Sequence, residues 1–456
     1  MVREHRRLSS LNFLSFRRLR NRSASTPPRH GTPLLTLTDA LIIAIASYVD
    51  DPRDISHFLL ANRRLSTLLT PVLYDTAFLI NPYSRSAASA LCRAAKLGHV
   101  NVVQYLLDRG VSMIDPKPWT GIENPLHVAA RDGQLAVVET MLQHEDAAAA
   151  SLLIDSHGYT PFHLAALNGF ASVTRLFLET AGVDVNLRSD PATTQHAATA
   201  LHYAASWGHD KVVKLLLRSG ATPDFTTTDG AAHTPLQWAL QNFCSMAALT
   251  PIDPTETIVA LLAARPAMIS QRNPASGRPI LHFAATSGDY SPQRRFGEHY
   301  SQIRASPSGT VLPRDARGRR EAAREMHRRV VALLVANGAD IDAVDREGKT
   351  ALFHAAEHGE EHFVRNFAEL GADVGVKADT GETALEMVVV RRMCGEGMEM
   401  AEALLDHGGV VELGRGGRVA GEIGEREREG LVKFVKCHET KMRRVQGGGG
   451  HHGGAW

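Results

Sequence analysis

The chain has 456 residues, 44% of them hydrophobic and 22% charged, and its 50 basic and 49 acidic side chains leave a formal net charge of +1. Such a composition excludes a fibrous or largely disordered polypeptide, and a near-zero charge removes any global attraction for nucleic acid or anionic lipid. The length exceeds that of an ordinary single domain, so either several domains or a repeat array is expected. Cys92, Cys244, Cys394 and Cys437 are scattered with no Cys-x-x-Cys pair. That spacing fits neither a zinc cage nor a disulfide framework, and it suits a reducing cytoplasmic or nuclear setting. No apolar run approaches the roughly 18 residues of a membrane span.

Residues 1–32 are rich in Arg and Ser and nearly free of acids. They share features with a mitochondrial presequence and, at Arg17–Arg22, with a nuclear address, and are read as a disordered basic tail.

Residues 33–80 form a separate module of short amphipathic helices divided by capped breaks. Thr38 suits the first N-cap, Asp51-Pro52 opens the second helix and Pro71 the third. Leu37, Leu41, Ile42, Ile45, Tyr48, Val49, Asp51–Ile55, Phe58, Leu59, Asn62–Leu65 and Pro71…Leu73-Tyr74 together resemble an F-box. That family docks on a Skp-type adaptor of cullin-RING ubiquitin ligases. The resemblance implies an adaptor surface on Leu37, Leu41, Ile45, Pro52, Ile55 and Phe58. The opening Leu37-Thr38-Asp39-Ala40 departs from the family's usual Leu-Pro-x-Glu. The alternative is a cap that shields the apolar face of the first repeat.

From residue 87 to 409 one motif recurs. It reads Asn124-Pro-Leu-His-Val-Ala-Ala, Thr160-Pro-Phe-His-Leu-Ala-Ala and Thr199-Ala-Leu-His-Tyr-Ala-Ala. Related copies lie at Thr234-Pro-Leu-Gln, Leu281-His282, Thr350-Ala-Leu-Phe and Thr383-Ala-Leu-Glu, with a degenerate one at Leu91–Ala95. At the His position the steps 92→127→163→202→237 are 35, 36, 39 and 35 residues, and 353→386 is 33. Thr or Asn before Pro is a helix start, because the hydroxyl or amide caps the first turn and Pro at N1 forfeits no bond. The Ala pair lets a neighbouring helix come close, and a following Gly ends helix one in a left-handed turn. Apolar pairs such as Val102-Val103…Leu106-Leu107 and Val212-Val213…Leu216-Leu217 announce helix two.

Motif and period resemble the ankyrin repeat. The fold implied is all-α: a solenoid of about eight helix-turn-helix repeats with short β-turn hairpins, preceded by the small F-box-like module, as in a fungal-type F-box/ankyrin protein. Neighbours must supply one another's core. The resemblance also implies that His127, His163, His202 and His282 hydrogen-bond at the turns and orient the next repeat. Extra length places insertions at 241–256 and 290–323. The stretch Tyr290–Arg329 holds ten Arg against four acidic residues. It is read as a solvated loop whose second half, from Gly318, extends a helix, and not as a nucleic-acid patch. Residues 410–456, rich in Gly and charge, are read as a mobile tail.

No phosphate-binding loop, nucleophile elbow or kinase signature set occurs. His358-Gly359-Glu360-Glu361-His362 satisfies His-x-x-Glu-His, but Gly359 falls at the break between two helices, so the rings should not converge. The expectation is therefore no catalytic residue, cofactor or metal site, and an interaction protein instead of an enzyme. In the family the two residues after Ala-Ala face the groove, which implies a partner-binding row of Arg131, Asp132, Leu167, Asn168, Trp207 and His358. It continues in Lys96-Leu97, Ser206, Thr286-Ser287 and Glu357, with Glu123, His157 and Tyr159 on the projecting turns. The expected partner is a protein client, with a Skp-type adaptor at the N-terminal module; oligomeric state is left open.

Overall fold

The computed structural model describes residues 85–114, 124–194, 196–229, 231–246, 253–285, 316–359, 361–392, 396–409 and 436. The module at 33–80, with Leu37, Leu41, Ile45, Pro52, Ile55 and Phe58, lies outside them, as does nearly all of the tail.

The described elements are helices. In chain order they are α1 (Arg85–Leu97), α2 (Val100–Asp108), α3 (Pro125–Arg131), α4 (Leu135–Leu142), α5 (Ala147–Leu152), α6 (Pro161–Leu167), α7 (Ala171–Glu179), α8 (Pro191–Thr194) and α9 (Ala200–Ser206). There follow α10 (Asp210–Arg218), α11 (Pro235–Met246), α12 (Thr255–Ala264), α13 (Ile280–Ala284), α14 (Ala316–Ala336), α15 (Ala351–His358), α16 (Glu361–Glu369), α17 (Ala384–Arg392) and α18 (Glu396–Asp406). Extended pairing among the described residues is limited to two isolated bridges, Arg188 with Thr199 and Lys377 with Thr383. No helix among them is long and apolar enough to cross a membrane.

The helices form two rows. One runs α1, α3, α6, α9, α11, α13, α15, α17, each packed on the next, and the other runs α2, α4, α7, α10, α12, α14, α16, α18. The motif explains the inner row. Asn124 accepts the Leu126 N–H at 2.8 Å and Thr350 the Phe353 N–H at 3.2 Å, so each helix starts where the capping residue stands. The Ala pairs 94–95, 129–130, 165–166, 204–205, 284–285 and 355–356 are all buried, which brings inner helices together with almost no side chain between them. Valine and leucine pairs of the outer row, such as Val137-Val138 and Val212-Val213, fill the space behind.

Two ladders of polar contacts stitch the rows. His127, His163, His202 and His282 each donate Nε2–H to a carbonyl in the following turn: Tyr159 at 3.0 Å, Leu187 at 3.0 Å, His233 at 3.2 Å and Lys349 at 2.9 Å. In two of them Nδ1 accepts from the repeat's own threonine hydroxyl, Thr160 at 2.8 Å and Thr199 at 2.9 Å. A second ladder runs backward and satisfies carbonyls at the ends of inner helices. Gln134 reaches Lys96 O, His209 reaches Leu167 O, Asn242 reaches Ser206 O and His327 reaches Ala284 O.

Gly133 ends α3 at φ +72°, and a Cβ added there would stand 2.4 Å from the Phe170 ring. Gly220 ends α10 at φ +90° with open space around it. Both alanine replacements incur left-handed strain, about 1 kcal/mol; only Gly133→Ala must also displace an aromatic ring. It is expected to destabilise by about 2–3 kcal/mol against about 1 for Gly220→Ala, measured by urea unfolding.

Both expected insertions prove partly helical. Residues 241–246 prolong α11 to Met246, and α12 starts at Thr255. Residues 316–323, expected within the 290–323 insertion, belong to α14, with Ala323 and Met326 buried. Arg328 and Arg329 of α14 are exposed and Arg324 is half-buried, as a solvated face would have them. Arg324 pairs with Glu369 at 3.0 Å and Arg329 with Asp253 at 3.0 Å, so the helix is tied to its neighbours on both sides.

Candidate protein-binding surface

The residues after each Ala pair occupy the ends of the inner helices, and burial divides them sharply. Leu167 is 0% and Trp207 2% exposed. Both belong to one apolar cluster with Tyr159, Leu164, Ala198, Tyr203 and Trp238. The expectation that Leu167 and Trp207 offer surface to a partner is therefore corrected. Large apolar side chains beside a row of alanines gain more by filling the gap than by facing water. Ser206 is buried, where it accepts from Asn242, and Arg131 is buried too, its Nε 3.5 Å from the Asp132 carboxylate. Tyr159, expected on a projecting turn, is buried edge-on against Tyr203 with ring centroids 5.2 Å apart.

The rest of the row does face outward. Leu97 is 58% exposed, Lys96 and His358 are exposed, and Asp132, Asn168 and Glu357 are half-buried. Asn168 donates Nδ2–H to Leu164 O at 2.9 Å, so part of its side chain finishes α6. Thr286, Ser287 and Glu123 lie outside the described residues. What remains is a run of mixed chemistry, apolar at Leu97 and charged or polar further along, suited to reading a protein surface. The motif alone did not separate buried from exposed members, because the decision rests on the size of the gap between successive repeats.

Buried histidines supply the electrostatics. Burial lowers His163 to about 4, against the opposing bond to Leu187 O. It likewise lowers His209 to about 4, His282 to about 4 and His327 to about 3. These rings are neutral at pH 7, as donors to backbone carbonyls should be. His209 and His327 escaped the sequence reading, although each sits at the entry to, or within, an outer helix where a back-reaching donor is useful. Asp229 is opposed by burial but held down to about 2 by hydrogen bonds from His196 and Thr227. The His358–His362 pair divides as expected: Gly359, at φ +82°, caps α15, and His362 lies in the next helix, which starts at Glu361.

Tandem helix pairs stacked in two rows define a repeat solenoid. A family model described as ankyrin repeats, three copies, matches residues 40–147, 91–189, 126–229 and 320–413. The chain belongs to the ankyrin-repeat family, whose fold is a protein–protein interaction module. Among similar proteins, ankyrin repeat protein nuc-2 of Neurospora crassa is 29% identical over 168 residues, covering 37% of this chain and 15% of that protein. Mouse ankyrin repeat and SOCS box protein 14 is 35% identical over 104 residues, 22% of this chain and 17% of that protein. A Caenorhabditis elegans homologue of transient receptor potential channel A1 is 26% identical, covering 57% of this chain and 16% of that protein. The chain thus spans under a fifth of each relative's length. The human ASB11 ankyrin repeat domain, a solved structure, is 20% identical, covers 64% of this chain and all of that one, and gives a TM-score of 0.43.

Proposed function

We propose that this chain is a substrate-recruiting subunit of a cullin-RING ubiquitin ligase: the ankyrin repeats hold a protein client and residues 33–80 hold a Skp-type adaptor. The reading rests on the coupling, in one sequence, of an F-box-like motif to a stack with an exposed row at Lys96-Leu97, Asp132, Asn168 and Glu357-His358. It places the protein in the cytosol or nucleus, where such ligases act. A second reading has an observation of its own. The first ankyrin match begins at residue 40, inside the F-box-like segment. This favours an adaptor or scaffold with no ubiquitin role, in which those helices cap the solenoid.

The two readings part in a pulldown with purified Skp-type adaptor. The intact chain should retain the adaptor, and a Pro52→Ala, Ile55→Asp double variant should lose it by at least about tenfold, the cost of one misplaced charge in an apolar contact. No binding by a folded intact chain would leave the capping reading standing.

A further inference from the structure

The pattern that fails at 358–362 occurs again one turn earlier. His354-Ala355-Ala356-Glu357-His358 is a second His-x-x-Glu-His, and it lies on the unbroken α15. Positions i, i+3 and i+4 of a helix share a face, and one donor atom from each of His354, Glu357 and His358 lies within 4.8 Å of the others. Repeat packing does not ask for His354. Its position holds Val128, Leu164, Tyr203, Trp238, Phe283 and Met387 in six other copies and Arg93 in the degenerate first one.

The hydrogen bonds fix which atoms are available. His354 donates Nε2–H to Asp345 Oδ2 at 2.8 Å. Asp345 is held in turn by the N–H groups of Glu347 and Lys349, at 2.8 and 3.1 Å, on its other oxygen. That leaves a lone pair on His354 Nδ1, which is buried without a hydrogen-bond partner and stands 3.6 Å from Glu357 Oε2. Two acceptors facing each other repel unless a cation lies between them. His358 donates Nδ1–H to His354 O at 2.9 Å, which turns its lone pair onto Nε2. Lys349 meets the same Glu357 carboxylate at 3.1 and 3.2 Å, and its charge would be shared with an incoming metal or displaced by it.

We propose that His354 Nδ1, the Glu357 carboxylate and His358 Nε2 form a binding site for a divalent transition metal of the zinc type, with Asp345 orienting His354 from behind. The 3.6 Å gap is near the roughly 3.3 Å that separates two ligands of a tetrahedral zinc with bonds of about 2.0–2.1 Å. A carboxylate on the far nitrogen is the usual support of a metal-bound histidine. Glu357 is half-buried and His358 exposed, so the fourth position opens to solvent on the partner-binding row.

The test titrates zinc against the full chain in competition with a chromophoric chelator, with His451 and His452 of the tail both changed to Gln. One zinc per chain is expected, with a tetrahedral visible spectrum when cobalt(II) is substituted. His358→Gln should weaken binding about 100-fold and Asp345→Asn about 10-fold. His358 is exposed, so that variant should keep the far-UV circular dichroism of the parent. No binding by the folded parent would overturn the site. So would binding that survives His358→Gln but falls with His282→Gln, which would assign the metal to His282, Asp345 and His354, also within 4.8 Å of one another.

Discussion

Trp238→Ala is expected to destabilise the stack by about 3–5 kcal/mol, the usual cost of removing a fully buried indole. Trp238 has no exposed surface and meets three rings edge-on, His196 at 5.7 Å, His202 at 5.3 Å and Tyr203 at 5.6 Å. It lies on α11 and those rings belong to the preceding repeat, so the cavity would open at a boundary between repeats. In a solenoid such a boundary carries much of the cooperativity. Urea unfolding followed by circular dichroism should therefore show a lower midpoint and a transition broadened or split in two. A loss under about 1 kcal/mol with an unbroken transition would mean that the aromatic cluster does not join these repeats.

Acid should act through four buried histidines at once. His163, His209, His282 and His327 have folded values of about 4, 4, 4 and 3, all lowered by burial from an unfolded value of 6.5. The folded state favours the neutral ring, so the unfolded chain binds protons first as pH falls. The stability these rings contribute is complete above pH 6.5 and is lost between there and their folded values. At pH 5 each ring should already have forfeited about 2 kcal/mol. Together they account for several kcal/mol, a large share of a domain's stability. Asp229 and Asp345, lowered from 3.8, enter only at more acid pH. Urea melts at pH 7 and pH 5 measure the loss. His163→Gln should flatten the pH slope, since glutamine does not titrate; Gln237 already fills that position in its repeat and accepts the Thr234 N–H at 3.0 Å.

The repeat boundaries were legible because each rests on local chemistry. Thr160-Pro161 starts a helix, Gly133 ends one, and a 33–39-residue step recurs, whatever surrounds them. The direction of His163, from its own threonine to the next turn, follows from the same motif. Burial of the candidate surface was not local. Trp207 and Leu167 read as surface by register, yet they are buried in one cluster with Tyr159, Tyr203 and Trp238, drawn from three successive repeats. Asp345 and His354 illustrate the same limit. They are nine residues apart in sequence, and only the fold of the turn brings the carboxylate to the ring.

The central claim is that the exposed inner-row surface selects a protein client. Its most direct test is proximity labelling in cells with the intact chain and with a Lys96→Glu, Leu97→Asp variant. Lys96 and Leu97 are both exposed, so the variant should keep the parent's melting temperature. A set of proteins labelled by the parent and lost by the equally stable variant is the predicted result. An unchanged set would contradict the claim and move recognition off this surface.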